Sequence, residues 1–94
     1  MKELSLKLTG ELPPFFKIAD FVWGEGSDFD SDGNSSTPEA TDWSELTLIL
    51  RNDASQRIDI DPIDGDARHL KLMASNEKLA NSVVSYLQQC GTIK

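Results

Sequence analysis

WSELTLILRNDASQRIDIDPIDGDARHLKLM, residues 43–73, reads as three strands written in succession. Leu46, Leu48 and Leu50 alternate with Thr47, Ile49 and Arg51, which predicts a strand from about Trp43 to Arg51. Its Thr and Ile content suits a strand with both faces at least partly covered. Asn52-Asp53-Ala54-Ser55 is turn chemistry. Ile58 and Ile60 then alternate with Asp59 and Asp61, a strand with one wet face that Pro62 is expected to end. Ile63-Asp64-Gly65-Asp66 carries the Asp-Gly pair of a tight hairpin. Beyond it Leu70 and Leu72 alternate with Lys71 and Met73. Three strands joined by short turns make an antiparallel meander. Arg68 and Lys71 are placed to pair across strands with Asp59 or Asp61.

The flanks complete the fold. Leu4, Leu6 and Leu8 alternate with Ser5, Lys7 and Thr9, a half-buried strand stopped by Gly10. After Pro13-Pro14, FFKIADFVW brings Phe15, Ile18, Ala19 and Val22 to one helical face, and Gly24 ends it. At the other end Ser75 or Asn76 is an N-cap for a final helix. Its apolar stripe is Leu79, Ala80, Val83, Val84, Tyr86, Leu87 and Cys90, and Gly91 follows at the C′ position. The expected order is β-α-β-β-β-α. This is a single small α+β domain over residues 1–94, an antiparallel sheet with the C-terminal helix packed on one face.

The charge narrows the partners. Ninety-four residues carry a net charge of −7. Binding to nucleic-acid phosphates or to an anionic membrane is disfavoured, and a basic protein partner is favoured. Cys90 is the only cysteine, so there is no internal disulfide and no cysteine-based zinc set. MKELSLKLTGEL has no continuous apolar run of the signal-peptide kind. A reducing, cytoplasmic setting is the expectation.

Much of the negative charge falls in one stretch. From about residue 24 to 42 the chain is rich in Gly, Ser, Asp and Thr, and an acidic loop is expected there. Within it DFDSDGNSSTPE, residues 28–39, fits the pattern D-x-[DN]-x-[DN]-G-x5-E. Asp28, Asp30 and Asp32 take the first, third and fifth places, and Gly33 takes the turn position. Asn34 stands at the seventh, Ser36 at the ninth and Glu39 at the twelfth. Over these twelve residues the chain resembles the EF-hand loop family. The resemblance implies Ca²⁺ held by Asp28, Asp30, Asp32, Asn34 and Glu39, the last as a bidentate ligand. The flanks depart from that family: Ser35 stands where an apolar residue pairs two loops, and Gly24 and Gly26 interrupt an entering helix. The other reading is an acidic surface loop with no bound cofactor.

A second acidic cluster, DIDPIDGD, spans residues 59–66, and alternation puts Asp59 and Asp61 on one strand face. Unpaired charge on such a face resists edge aggregation. His69 is the only histidine, and no nucleophile has a recognisable base beside it. Cys90 reads as a small buried hydrophobe in the last helical turn. Trp23, Phe29 and Trp43 bracket the acidic stretch, the tryptophans as core residues and Phe29 as core or interface anchor. The expectation is a non-enzymatic binding protein, of the inhibitor or toxin-immunity type. It would present Asp28, Phe29, Asp30, Asp32, Asp61, Asp64 and Asp66 to a basic protein. The alternative is a calcium-binding module built on residues 28–39.

Overall fold

A computed structural model describes residues 2–33, 41 and 43–93, the side chain of Ala67 excepted. The chain runs β1 (Lys2–Lys7), α1 (Phe15–Trp23), β2 (Phe29–Gly33), β3 (Leu46–Leu50), β4 (Arg57–Ile63), β5 (Asp66–Ala74) and α2 (Glu77–Gln89). All five strands form one antiparallel sheet in the order β1-β5-β4-β3-β2. The α+β class and the C-terminal helix after an antiparallel sheet agree with the reading of the sequence.

The meander forms because its alternating apolar residues fall into register. Leu46 pairs with Ile60 and Ile60 with Leu72, while Leu48 pairs with Ile58 and Ile58 with Ala74. Directly paired residues share a face, so these side chains make continuous apolar rows. Leu48, Ile58, Ile60, Leu70 and Leu72 are fully buried. Each contributes about 1.5–3 kcal/mol relative to exposure. β3 starts at Leu46, later than expected, because Trp43 turns into the core and its indole N–H donates to the Pro13 carbonyl at 2.9 Å. Pro62 does not end β4. The strand runs on to Ile63, because the backbone of Pro62 faces the β3 side, where pairing has already ended at Leu46↔Ile60 and no ladder N–H is needed. Asp64 and Gly65 then close a two-residue turn with φ of 54° and 75°, as a hairpin of right-twisted strands requires.

Both helices cover the same face of this sheet. α1 lies over β3, α2 lies over β1 and β5, and the two pack against each other. Phe15, Ile18 and Ala19 of α1 and Leu79, Ala80, Val83 and Leu87 of α2 point inward. Phe21 and Tyr86 meet between the helices with ring centroids 4.9 Å apart. The Asn76 side chain accepts the Leu79 N–H at 2.8 Å and caps α2. At its other end the Gly91 N–H donates to Gln88 and the Thr92 N–H to Leu87, the paired bonds that close a helix. Thr92 is buried and ties this segment to the start of the chain: its carbonyl accepts from Thr9 and Gly10, and its hydroxyl donates to Glu11.

Two local expectations change. Cys90 is exposed rather than buried: α2 ends at Gln89, and Cys90 is its C-cap, one residue past the last turn. Burial pushes the neighbouring Tyr86 hydroxyl up to about 12, with a hydrogen bond to Cys90 adding to it. The stretch read as a loop contains a fifth strand, β2, which pairs with β3 from Phe29↔Leu50 to Gly33↔Leu46. Residues 34–40 and 42 of that stretch lie outside the described residues. Among the described residues no helix is long and apolar enough to cross a membrane.

Candidate functional site

The uncovered face of the sheet collects the charged side chains. Asp30 and Asp32 of β2 stand opposite Ile49 and Thr47 of β3. Ile49 stands opposite Arg57, and Thr47 opposite Asp59, on β4. Asp59 and Asp61 stand opposite Met73 and Lys71 of β5, which in turn face Glu3 and Ser5 of β1. Asp32, Asp59 and Glu3 therefore share one cross-strand row. Asp32 and Asp59 are two strands apart, about 10 Å.

Ion pairs neutralise one end of this face. The Arg51 guanidinium bridges Asp28 at 3.1 Å and Asp30 at 2.8 Å. Arg57 grips Asp59 with two N–H groups, at 2.8 and 3.2 Å, and the Thr47 hydroxyl donates to the same carboxylate at 2.7 Å. Desolvation pushes the Asp59 carboxyl up, but the hydrogen bonds from Arg57 and Thr47 and the Arg57 charge outweigh it. Asp59 is held below its ordinary value. The sequence suggested Arg68 and Lys71 as partners for these aspartates. Arg68 instead reaches the carbonyls of Leu8 and Gly10, and Arg57, on the same strand face as Asp59, takes the role.

The other end is anionic. Antiparallel pairing sets Gly33, Leu46 and Ile60 in one row, and β4 continues three residues further to the Asp64 turn. Asp32, Asp61, Asp64 and Asp66 thus gather toward one end of the sheet. Among the described residues none of the four is in an ion pair. Asp32 accepts the Gly33 N–H, and Asp66 accepts the Arg68 N–H. Two further cations of this face lie on the β5–β1 side: Lys71, directly opposite Asp61, and Lys7, opposite His69.

The expected site residues separate accordingly. Asp30, Asp32 and Asp61 share the open face, Asp28 continues the β2 row, and Asp64 and Asp66 flank the hairpin turn. Phe29 does not join them. It points to the helix-covered face, half-buried, 6.4 Å from the Trp23 ring. Of the five residues that the EF-hand resemblance assigns to calcium, Asp28, Asp30 and Asp32 lie at and along an extended strand. Asn34 and Glu39 lie outside the described residues. Among the described residues no group of three or more His, Cys, Asp or Glu side chains is placed to hold a metal. His69 sits mid-strand opposite Lys7.

Arg51, Arg57 and Thr47 were missed as site residues. Arg57 was legible, since residues two apart on a strand share a face. Arg51 was not, because its role depends on β2 being a strand. No family model, curated protein or solved structure matches the chain.

Proposed function

We propose that this is a small acidic binding protein that works by protein–protein contact. It docks a basic surface of its partner through the anionic end of the open sheet face, as an inhibitor or immunity-type protein does. The observation that carries this reading is the segregation of charge. Arg51 and Arg57 neutralise Asp28, Asp30 and Asp59, while Asp32, Asp61, Asp64 and Asp66 stand outside the ion pairs of the described residues, on a rigid sheet and a tight turn. Unpaired charge on a rigid support steers an oppositely charged partner and costs little to order on binding.

The test is affinity capture from the source cell with the wild-type protein and with Asp32→Asn/Asp61→Asn/Asp64→Asn/Asp66→Asn. Support is a basic protein that is captured by the wild type, is released by roughly 0.5 M salt, and is not captured by the variant. Capture of no basic protein, or equal capture by both, would sink the reading.

The calcium alternative draws on one observation: alternation along β2 places Asp28, Asp30 and Asp32 on one side of the strand. An ion there competes with the Arg51 guanidinium already seated on Asp28 and Asp30. Melting temperatures in EDTA, Ca²⁺ and Mg²⁺ separate the two readings. A calcium-specific rise lost in Asp28→Ala marks a metal site, since a ligand of the folded state stabilises by mass action. Equal curves leave the acidic docking surface.

A further inference from the structure

The edge of the sheet at β1 has no strand beside it among the described residues, and its groups are arranged to match themselves. The Leu8 N–H donates to the Arg68 carbonyl, so Leu8 and Arg68 form a hydrogen-bonded pair. Such pairs alternate along an antiparallel ladder. Lys2, Leu4 and Leu6 therefore spend their backbone groups on β5, and Glu3, Ser5 and Lys7 direct theirs outward. One position further, the outward N–H of Thr9 is taken by the Thr92 carbonyl at 2.8 Å. The open template is thus three residues long in hydrogen-bonding terms: Glu3, Ser5 and Lys7.

Beneath this edge, on the helix side, lies a groove of about 440 Å³ whose lining includes Leu4, Leu6, Thr9, Val84, Gln88 and Ile93. Leu4 and Val84 are only partly buried. An edge of unpaired backbone above an apolar groove is a site for one more strand.

We infer that the strand it takes is β1 of a second copy, antiparallel, about a twofold axis through Ser5. Three facts select this occupant and register. Outward backbone groups must meet outward groups, and helix layers must lie on the same side, so odd residues pair only with odd residues. Centring on Leu6 sets Glu3 against Thr9, whose N–H is already spent, and leaves only Ser5 and Lys7 to pair. Centring on Ser5 uses all three available residues, pairing Ser5 with Ser5 and Glu3 with Lys7 of the other copy, twice by symmetry. Each copy thus supplies both the carboxylate and the ammonium that the other needs. On the helix side Leu4 meets Leu6 of the other copy at a position where side chains approach closely. The two grooves then close on each other, and the product is a continuous ten-stranded sheet.

The opposite edge cannot do this. Arg51 N–H to Asp28 carbonyl makes Phe29, Ser31 and Gly33 the outward residues of β2. Pairing β2 with itself about Ser31 sets Asp30 against Asp32 twice, which like charge opposes.

The experiment is sedimentation equilibrium with the full chain from roughly 10 µM to 1 mM, run with Glu3→Lys, Lys7→Glu, their equimolar mixture, and Ser5→Pro. The wild type is expected to move from monomer to dimer mass with concentration. Each single reversal is expected to raise the dissociation constant roughly tenfold or more. The mixture of the two is expected to recover dimer, because opposite charges then meet at both contacts: the introduced ammonium faces the introduced carboxylate, and the native Lys7 of one variant faces the native Glu3 of the other. Ser5→Pro removes an outward N–H that β5 does not use, and is expected to abolish the dimer with the melting transition retained. A wild type that stays monomeric throughout overturns the inference. So does a dimer that Ser5→Pro leaves intact, which places the contact elsewhere, or a mixture no tighter than its components, which rejects the register.

Discussion

At one edge of the sheet, β1 and the residue after it set Leu4, Leu6 and Leu8 on the helix-covered face, and β1 leaves Glu3, Ser5 and Lys7 on the open face. At the other, β2 sets only Phe29 as a large apolar side chain on the covered face and lines the open face with Asp30 and Asp32. The first edge is held by burial: Leu6 and Leu8 are 5% and 7% exposed. The second is held by backbone pairing and by Arg51, whose side chain is 55% exposed. Burial of a leucine is worth kilocalories, and an exposed ion pair far less. The same sheet therefore has one edge that belongs to the core and one that is attached to it. The charges follow suit. β1 carries both signs, Glu3 and Lys7, whereas β2 carries one, Asp30 and Asp32.

Two matched pairs of substitutions and two single ones test the contrast, taken from the largest expected effect to the smallest. Leu6→Ala is expected to cost about 2–5 kcal/mol by urea denaturation with the slope unchanged. Phe29→Ala, at a half-buried position, is expected to cost clearly less. Equal costs would mean that β2 is as much part of the core as β1. The next two substitutions are matched, because a glycine just beyond β1 and the last residue of β2 each lie against a backbone carbonyl. A Cβ at Gly10 runs into the Gly91 carbonyl, and a Cβ at Gly33 into that of Glu45. Gly10→Ala is expected to lower global stability by about 1–3 kcal/mol, since it presses on the segment that holds buried Thr92. Gly33→Ala is expected to act locally, as faster amide exchange over residues 29–33 with a smaller change in the melting temperature. A larger global loss from Gly33→Ala would reverse the assignment of the two edges.

A smaller effect is expected at Asp59, between the edges. Its folded-state pKa lies below the ordinary 3.8, so the fold favours the ionised form. Its contribution is then present above 3.8 and is lost as pH falls through the lower folded value. The melting-temperature gap between wild type and Asp59→Asn should be full near about pH 6 and close in acid. A gap that is constant with pH would remove the charge of Asp59 from the account. The smallest expected effect is that of Arg51→Ala. Its melting-temperature shift should be below that of Asp59→Asn and vanish at about 0.5 M salt, because exposed pairs are screened. A salt-resistant shift would show that the β2 edge is held more firmly than by a surface ion pair.

Several of these features are legible in the sequence. α1 runs from Phe15 to Trp23 as its stripe and following glycine predict, and α2 is capped by Asn76 and closed by Gly91 and Thr92. The Asp64-Gly65 turn falls where the Asp-Gly pair stands. β2 is obscured because its weak strand formers, Asp and Gly, are the residues of loops. The alternation of Asp28, Asp30 and Asp32 around Phe29 and Ser31 is its one visible trace. An edge strand needs little intrinsic preference when its neighbour offers a full row of backbone partners. Pro62 misleads for a related reason, since it faces the β3 side one step beyond the last paired residues, Leu46 and Ile60, where no ladder N–H is required.

The chain's own pattern specifies the elements and which side of each is apolar, because side-chain direction repeats every two residues in a strand and every 3.6 in a helix. It also specifies the sign of the charge. The insertion of β1 beside β5, which makes β1 and β2 the two edges, is a property of the assembled fold. So is the placing of Arg51 against Asp28 and Asp30, and of Thr92 against Thr9. These contacts join residues 21 to 83 positions apart. They follow from strand order and register, which long-range backbone pairing and the docking of the helix layer select. No local pattern along the chain contains that energy.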